Sequence, residues 1–312
     1  RRTKLDNITL TKEDRETAAI VPDKVVVTLT KSGMIKRTSI ASFKTKRKKM
    51  AKSDDDIVID TIRTNTVDSL MIFTNKGVMY RLSVNDIPDG DKPTSVHSLV
   101  KIASDEYPEV IYSIYKDTDA KYVLFITKNG LVKKTALDEF VKTKRKTGIA
   151  TISLREGDSL ASLSLIKEEP LILVTKNGMV IKFASTEIAA TGRATAGVKG
   201  IDVKTDGYVV AGLPLRNVTD NLALFTSEGY GKQMEQNELV TQKRAGIGIV
   251  GYKATESSGY IVGAALITTG DNLLLVKNVK SICVKSEDIP ILKRIAAGNL
   301  LAKGGIQSVS KI

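Results

Sequence analysis

Four stretches of the chain set cations close to glycines: Lys146-Thr147-Gly148-Ile149, Gly197-Val198-Lys199-Gly200-Ile201, Arg244-Ala245-Gly246-Ile247-Gly248 and Lys303-Gly304-Gly305-Ile306. Glycine lets a backbone come close to an anion, and successive amides in such turns form anion-binding concavities. The chemistry this suggests is capture of phosphate-like groups. A plainer reading has glycines turning the chain and lysines keeping it soluble; recurrence in related loops favours the first. Bond-making chemistry finds little to build on, since it needs a poised acid, base, nucleophile or metal cluster and the chain has one histidine and one cysteine. His97 has no ligand-spaced partners and reads as structural. Asp54-Asp55-Asp56 reads as a solvated strand entry, because adjacent strand residues point to opposite faces. We therefore expect no catalytic residue and no metal site. Cys283, alone and in a strand position, is expected to be a small buried hydrophobe in a reducing compartment, the cytoplasm.

The elements that must carry these loops form a repeat. Thr30-Lys31-Ser32-Gly33, Thr74-Asn75-Lys76-Gly77, Thr127-Lys128-Asn129-Gly130, Thr175-Lys176-Asn177-Gly178 and Thr226-Ser227-Glu228-Gly229 each end an apolar run and begin another; Val276-Lys277-Asn278-Val279 is a degraded sixth copy. Each reads as a β-hairpin, with Asn-Gly in the third and fourth copies supplying the positive φ of a tight turn. The second run leads into one or two cations, as in Lys133-Lys134. An acid-plus-apolar step follows: Asp86-Ile87, Glu139-Phe140, Glu187-Ile188, Glu238-Leu239 and Asp288-Ile289, with Ser42-Phe43 as the first-copy variant. Then comes a basic loop in most copies. The cations expected to meet a polyanion are Lys44, Lys46, Arg47, Lys48, Lys49 and Lys52 in the first copy and Lys142, Lys144, Arg145 and Lys146 in the third. Arg193 and Lys199 follow in the fourth and Lys243 and Arg244 in the fifth; the sixth loop contains Lys293, Arg294 and Lys303, of which Lys303 is named as a contact. The second copy has Asp89-Gly90-Asp91-Lys92-Pro93 instead.

A unit of strands and turns recurring every 44–53 residues predicts an all-β, propeller-type array. Six units that each lack a core of their own favour one closed or C-shaped body over two domains. Residues 1–19, dense in charge, read as a linker or N-terminal arm, and 20–312 as a single domain. The start at Arg1-Arg2 without Met suggests a piece of a longer protein. The net charge of +13 over 312 residues favours a polyanionic partner, nucleic acid first and an acidic membrane surface second. No run of about eighteen apolar residues argues for a membrane span. No recognition helix or zinc finger is evident, so backbone and shape recognition is expected rather than base reading.

The run Val25-Val26-Val27-Thr28-Leu29-Thr30…Gly33…Ile35-Lys36-Arg37-Thr38, the run Phe73-Thr74-Asn75-Lys76-Gly77…Tyr80-Arg81 and the basic glycine-containing loops resemble the C-terminal domain of the A subunit of bacterial type IIA topoisomerases, DNA gyrase and topoisomerase IV. The resemblance covers essentially the whole chain. It implies a six-bladed β-pinwheel, a propeller-like disc of four-stranded blades that exchange strands with their neighbours. It also implies double-stranded DNA bent around a basic rim, in a bacterial cytoplasm and at the nucleoid. The domain itself would be a monomer without cofactor; ATP, Mg, the A-subunit dimer and the B (ATPase) subunit would belong to the parent enzyme. One departure stands out. Where gyrase carries a box resembling Q-R-R-G-G-K-G, this chain has Lys44-Thr45-Lys46-Arg47-Lys48-Lys49-Met50-Ala51-Lys52, which keeps the charge and loses every glycine. That leans toward topoisomerase IV, a gyrase with a divergent box being the alternative. A propeller used for protein–protein contact, supported by the acidic second loop, is the reading from another class.

Overall fold

A computed structural model describes residues 21–46, 58–90, 92–114, 119–142, 147–204, 207–277 and 281–311. The arm expected at 1–19 and the triple aspartate at 54–56 lie outside them. Strands dominate, as the repeat requires; the helical pieces are short, the longest among the described residues being Ile40–Lys46.

Each of units two to six contributes a hairpin, a short exchanged strand and an inner strand; among the described residues unit one contributes a hairpin and an inner strand. Blade one has β1 (Lys24–Thr30), β2 (Met34–Ser39) and β3 (Val58–Asn65). Unit two adds β4 (Ser69–Thr74), β5 (Val78–Ser83), β6 (Thr94–Ser95) and β7 (Pro108–Ile114). Unit three adds β8 (Tyr122–Thr127), β9 (Leu131–Ala136), β10 (Ile149–Ala150) and β11 (Leu160–Ile166). Unit four adds β12 (Leu171–Thr175), β13 (Met179–Phe183), β14 (Val198–Lys199) and β15 (Val209–Pro214). Unit five adds β16 (Asn221–Thr226), β17 (Tyr230–Met234), β18 (Ile249–Val250) and β19 (Ile261–Ile267). Unit six adds β20 (Asn272–Val276), β21 (Ser281–Lys285), β22 (Asn299–Leu300) and β23 (Ser308–Lys311).

All pairings between these strands are antiparallel, and the short strand of each unit joins the outer edge of the preceding blade: β6 on β2, β10 on β5, β14 on β9, β18 on β13, β22 on β17. Five sheets are therefore four-stranded, and the sixth, β21-β20-β23, has three strands among the described residues. The inner strands β3, β7, β11, β15, β19 and β23 lie side by side in that order, and β23 reaches β3. The ring is closed, a point the repeat spacing left open.

The apolar runs are continuous because the second strand of each blade, counted from the axis, is covered on both faces. Its period-two alternation survives as a division between two cores. Leu70 and Ile72 pack with Val25, Val27 and Leu29 of blade one, whereas Met71 and Phe73 pack with Val123 and Phe125 of blade three. Leu124 and Ile126 then meet Leu171 and Leu173, and Ile172 and Val174 meet Leu222 and Leu224. The core thus lies between blades, and a side chain such as Phe73, fully buried, contributes about 1.5–3 kcal/mol only when its neighbour is present. Phe73, Phe125 and Phe140 make the aromatic centre of one such interface, with ring centroids 5.7–6.5 Å apart.

The recurrent Thr and Gly are explained by the turn. The glycine N–H bonds the threonine carbonyl at 2.9–3.1 Å in all five intact copies, and Gly33, Gly77, Gly130, Gly178 and Gly229 have φ between 69° and 92°. The next amide, freed from the ladder, donates to the threonine hydroxyl oxygen, for example Leu131 N–H to Thr127 Oγ1 at 3.2 Å and Tyr230 N–H to Thr226 Oγ1 at 3.1 Å. This is a three-residue turn closed by a left-handed glycine; Asn129 and Asn177, expected to share the positive φ, do not. In the acid-plus-apolar step the apolar residue plugs the core: Ile87, Phe140, Ile188, Leu239 and Ile289 are all buried.

His97 is exposed, its Nε2 3.2 Å from the Glu106 carbonyl oxygen. Cys283 departs from expectation and is exposed. Its neighbour Val284 takes the core-facing position, and β21 has no strand outside it among the described residues to cover Cys283. No helix among the described residues is long and apolar enough to cross a membrane.

Candidate nucleic-acid interface

Strand exchange carries the basic loops of units four to six out of their own units and onto the outer edge of the preceding blade. The loop of unit four ends in β14 on blade three, that of unit five in β18 on blade four, that of unit six in β22 on blade five. Cations from separate units become neighbours along one perimeter.

The acids of the preceding step hold these loops. Arg193 Nε lies 3.6 Å from Glu139 Oε2, the Arg244 amide donates to Glu187 Oε2 at 3.2 Å, and Lys293 Nζ pairs with Glu238 Oε1 at 2.8 Å. The Lys293 contact holds the Glu238 carboxyl below its ordinary range. A second set of bonds ties loop to loop. Arg244 Nη1 donates to the Lys199 carbonyl at 2.9 Å and Arg294 Nη1 to the equivalent Val250 carbonyl at 3.1 Å. The Ala245 amide donates to Gly200 O at 2.7 Å and the Asp202 amide to Gly246 O at 2.8 Å. Ala245 has φ 70°, the left-handed region, for a non-glycine residue. Arginine has five donors, so a guanidinium that bridges loops retains N–H groups for a phosphate outside.

The glycines of these loops serve the blades. A Cβ at Gly197 would stand 2.8 Å from Val132 O, at Gly248 2.5 Å from Val180 O and at Gly298 2.6 Å from Gly231 O. Their small size is required where the exchanged strand crosses the preceding hairpin, so the packing accounts for the glycine spacing without an anion. What faces outward is charge.

Of the cations named from sequence, Lys142 is exposed and pairs with Asp138 at 2.7 Å; Lys199 is exposed and pairs with Asp202 at 2.8 Å. Lys243 is exposed, and Arg193 and Arg244 are half-buried in the bridges above. Lys303 is exposed but sits apart, on the segment that crosses from β22 back to β23, where its carbonyl accepts from Lys277 Nζ. Lys44 and Lys46 close the helix Ile40–Lys46, with side chains outside the described set. Arg47, Lys48, Lys49, Lys52, Lys144, Arg145 and Lys146 lie outside the described residues. Lys293 and Arg294, read from the sequence as part of the sixth basic loop but not named as contacts, align with Lys243 and Arg244, and the lysines at the hairpin tips, Lys31, Lys76, Lys128 and Lys176, are likewise not among the named contacts. Lys176 lies over the rings of Tyr208 and Tyr260, 5.5 and 4.8 Å from their centroids.

Three cations of the hairpin template are not at the surface. Lys133, Lys134 and Lys232 are buried, and burial pushes the Lys133 and Lys232 ammonium groups down to about 8.

Compared with known proteins, residues 24–65, 68–92, 121–167, 169–216 and 220–268 match the family described as DNA gyrase C-terminal domain, beta-propeller. The matched segments follow units one to five, and the sixth, with its degraded turn, falls beyond them. The DNA gyrase A subunit of Lawsonia intracellularis is 33% identical over 300 residues, 92% of this chain and 36% of that protein. Its counterpart in Helicobacter pylori is 31% identical over 292 residues, 89% of this chain and 35% of that protein. The chain thus spans about a third of the length of these relatives. Among solved structures, the C-terminal domain of DNA topoisomerase IV superposes with TM-score 0.78 at 29% identity, covering 94% of both chains. The DNA gyrase A C-terminal domain does so with TM-score 0.77 at 25% identity, covering 93% of this chain and 99% of that one.

Proposed function

The chain belongs to the DNA gyrase C-terminal domain family, and from that premise we propose that it binds double-stranded DNA along its outer edge and bends it without reading base sequence. The observation that carries this is the row of cationic loops set on successive blades by strand exchange and bonded to one another through Arg244 and Arg294. A curved, rigid row of positive charge matches a bent phosphate backbone. Bending 20–30 bp through 40–90° costs on the order of 1–6 kcal/mol, which phosphate contacts made along the curve would offset.

The test is a salt series on two unrelated duplexes. If the perimeter neutralises about 6–10 phosphates, affinity falls roughly 10³–10⁵-fold between 50 and 200 mM salt and hardly differs between sequences. A shallow slope, or strong preference for one duplex, overturns the reading. Binding that survives moderate salt would instead support a protein partner, for which Asp89 and Gly90 of the second loop speak.

Within the family, the glycine-free stretch from Lys44 to Lys52 supports DNA held by charge without the close backbone approach that glycines allow. On that ground we place the domain nearer topoisomerase IV than gyrase in behaviour, although the relatives above carry the name of DNA gyrase. Ligating nicked circles on the domain and counting the linking-number change separates the two. The nearer-gyrase alternative wins if the native loop constrains supercoils as strongly as a version carrying the glycine-containing box. ATP and magnesium chemistry, an A-subunit partner and the B (ATPase) subunit we assign to a parent enzyme in the bacterial cytoplasm, outside these residues.

A further inference from the structure

Three residues after each turn glycine, the second hairpin strand holds Lys36, Tyr80, Lys133, Ile181 and Lys232, with Ile282 in the degraded copy. Odd blades carry lysine and even blades do not. Lys133 is 1% exposed and Lys232 0%, and among the described residues neither ammonium forms an ion pair. Lys133 Nζ donates to Thr135 Oγ1 at 2.6 Å, Thr151 O at 2.7 Å and Arg193 O at 3.0 Å. Lys232 Nζ donates to Lys293 O at 2.9 Å and to Arg294 O. Each also lies beside an aromatic ring, Lys133 5.2 Å from Phe125 and Lys232 5.3 Å from Tyr252.

An ammonium is a costly way to fill a buried volume, and the fold does not need one for that purpose: Ile181 fills the same place in blade four, fully buried. What lysine adds is a donor aimed at chosen carbonyls. For Lys232 both carbonyls belong to cations of the loop in the next unit; for Lys133 one does, that of Arg193, while Thr151 lies in its own unit. Arg193 is turned inward through its carbonyl while its side chain stays 37% exposed, and Lys293, held the same way, keeps a side chain 85% exposed.

We infer that Lys133 and Lys232 are positioning residues of the DNA-binding edge: without touching DNA, each fixes the backbone of the following loop so that Arg193 in one case, and Lys293 and Arg294 in the other, are presented together to phosphate. This rests on the DNA reading proposed above. The loop of unit five, which follows the isoleucine blade, is held by Arg244 on Glu187 and Lys199, and the loop of unit six has both the equivalent Arg294 bond to Val250 O and Lys232.

The experiment uses the 312-residue chain with Lys133→Ile, Lys232→Ile, Arg193→Ala and the Lys133→Ile/Arg193→Ala double variant. Folding is checked by circular dichroism and DNA affinity is measured from 50 to 200 mM salt. One lost phosphate contact lowers the log–log salt slope by about 0.9 and, extrapolated from 1 M, weakens binding about 10-fold at 50 mM. Lys133→Ile is expected to lose about that much, Lys232→Ile up to twice that slope, and the double variant to bind no more weakly than Arg193→Ala alone. Folded lysine variants with wild-type affinity and slope overturn the inference, as do multiplying effects of Lys133→Ile and Arg193→Ala. If either lysine variant fails to fold, backbone order parameters of the wild type at residues 192–196 and 293–297 decide: values near 0.85 support a clamped loop and values below about 0.6 overturn it. A wild type that does not bind DNA sinks the DNA reading itself, and the DNA-facing part of this inference with it; wild-type binding beside unaffected variants sinks only the inference.

Discussion

Between pH 8 and pH 10 the folded domain should gain stability, because Lys133 and Lys232 give up their protons there while the unfolded chain keeps them. Both ammonium groups are pushed by burial from an ordinary 10.5 down to about 8. Below pH 8 both states are protonated and the folded state carries two buried cations. As pH rises past 8 the folded state binds fewer protons than the unfolded one, and stability climbs by about 1.4 kcal/mol per pH unit per lysine. Two lysines over two pH units set an upper bound of about 5 kcal/mol. Tyr80 closes the window from above. Burial, with its hydrogen bond to Glu106, raises its hydroxyl from 10.0 to about 12, so beyond pH 10 the unfolded chain loses that proton first and stability falls again. Asp60, raised by burial from 3.8 to about 6, destabilises the fold as pH climbs between those values and is spent before the lysines titrate. Urea unfolding at pH 7.5, 8, 9 and 10 measures the effect. The wild-type midpoint should rise through this range, and the Lys133→Ile/Lys232→Ile double variant should lose the rise. A wild-type midpoint that stays flat or falls, or a double variant that keeps the slope, refutes the reasoning.

Three further outcomes are expected. Thr127→Val removes the fully buried hydroxyl that accepts the amide of the buried Leu131 and should cost about 1–3 kcal/mol in unfolding free energy; a cost near zero would mean that water reaches the amide. Gly229→Ala puts a methyl at φ 92° within 1.9 Å of Ala302 O and should cost clearly more than Gly157→Ala, where φ is 73° and nothing lies within 4 Å, so that only the left-handed strain of about 1–2 kcal/mol remains. Equal losses in thermal unfolding would show that the exchanged strand yields. Lys243→Ala, at an exposed site, should leave the melting temperature unchanged and reduce the salt slope for DNA by about one; an unchanged slope would move the DNA path off that loop.

Much of the architecture was legible because it is locally caused. A left-handed turn position excludes most side chains, and the freed amide beside it needs an acceptor, so Gly and Thr reappear wherever the hairpin does. The all-β class, the six units and the pairing of an acid with each basic loop follow from that period. The candidate surface was legible in outline, since Arg193, Lys199, Lys243 and Arg244 do come to one edge. The glycines beside them were ambiguous: nothing in Gly-Val-Lys-Gly distinguishes room for a phosphate from room for a neighbouring strand, and the Val132 carbonyl beside Gly197 decides it.

By itself, then, the sequence determined the turns, the strand alternation and the excess of positive charge, all of which depend on residues within a few positions of one another. Tertiary structure decided which charges meet water and which are sealed. Nothing local marks Lys133 and Lys134 as sealed, and it is segments 51 to 60 residues downstream that close over them; Cys283 reads as buried until β21 proves to have no described strand outside it. Ring closure belongs to the same class, because β23 meets β3 only after five interfaces have each set their angle. Burial is a property of the neighbour, and here the neighbour is always supplied by another blade.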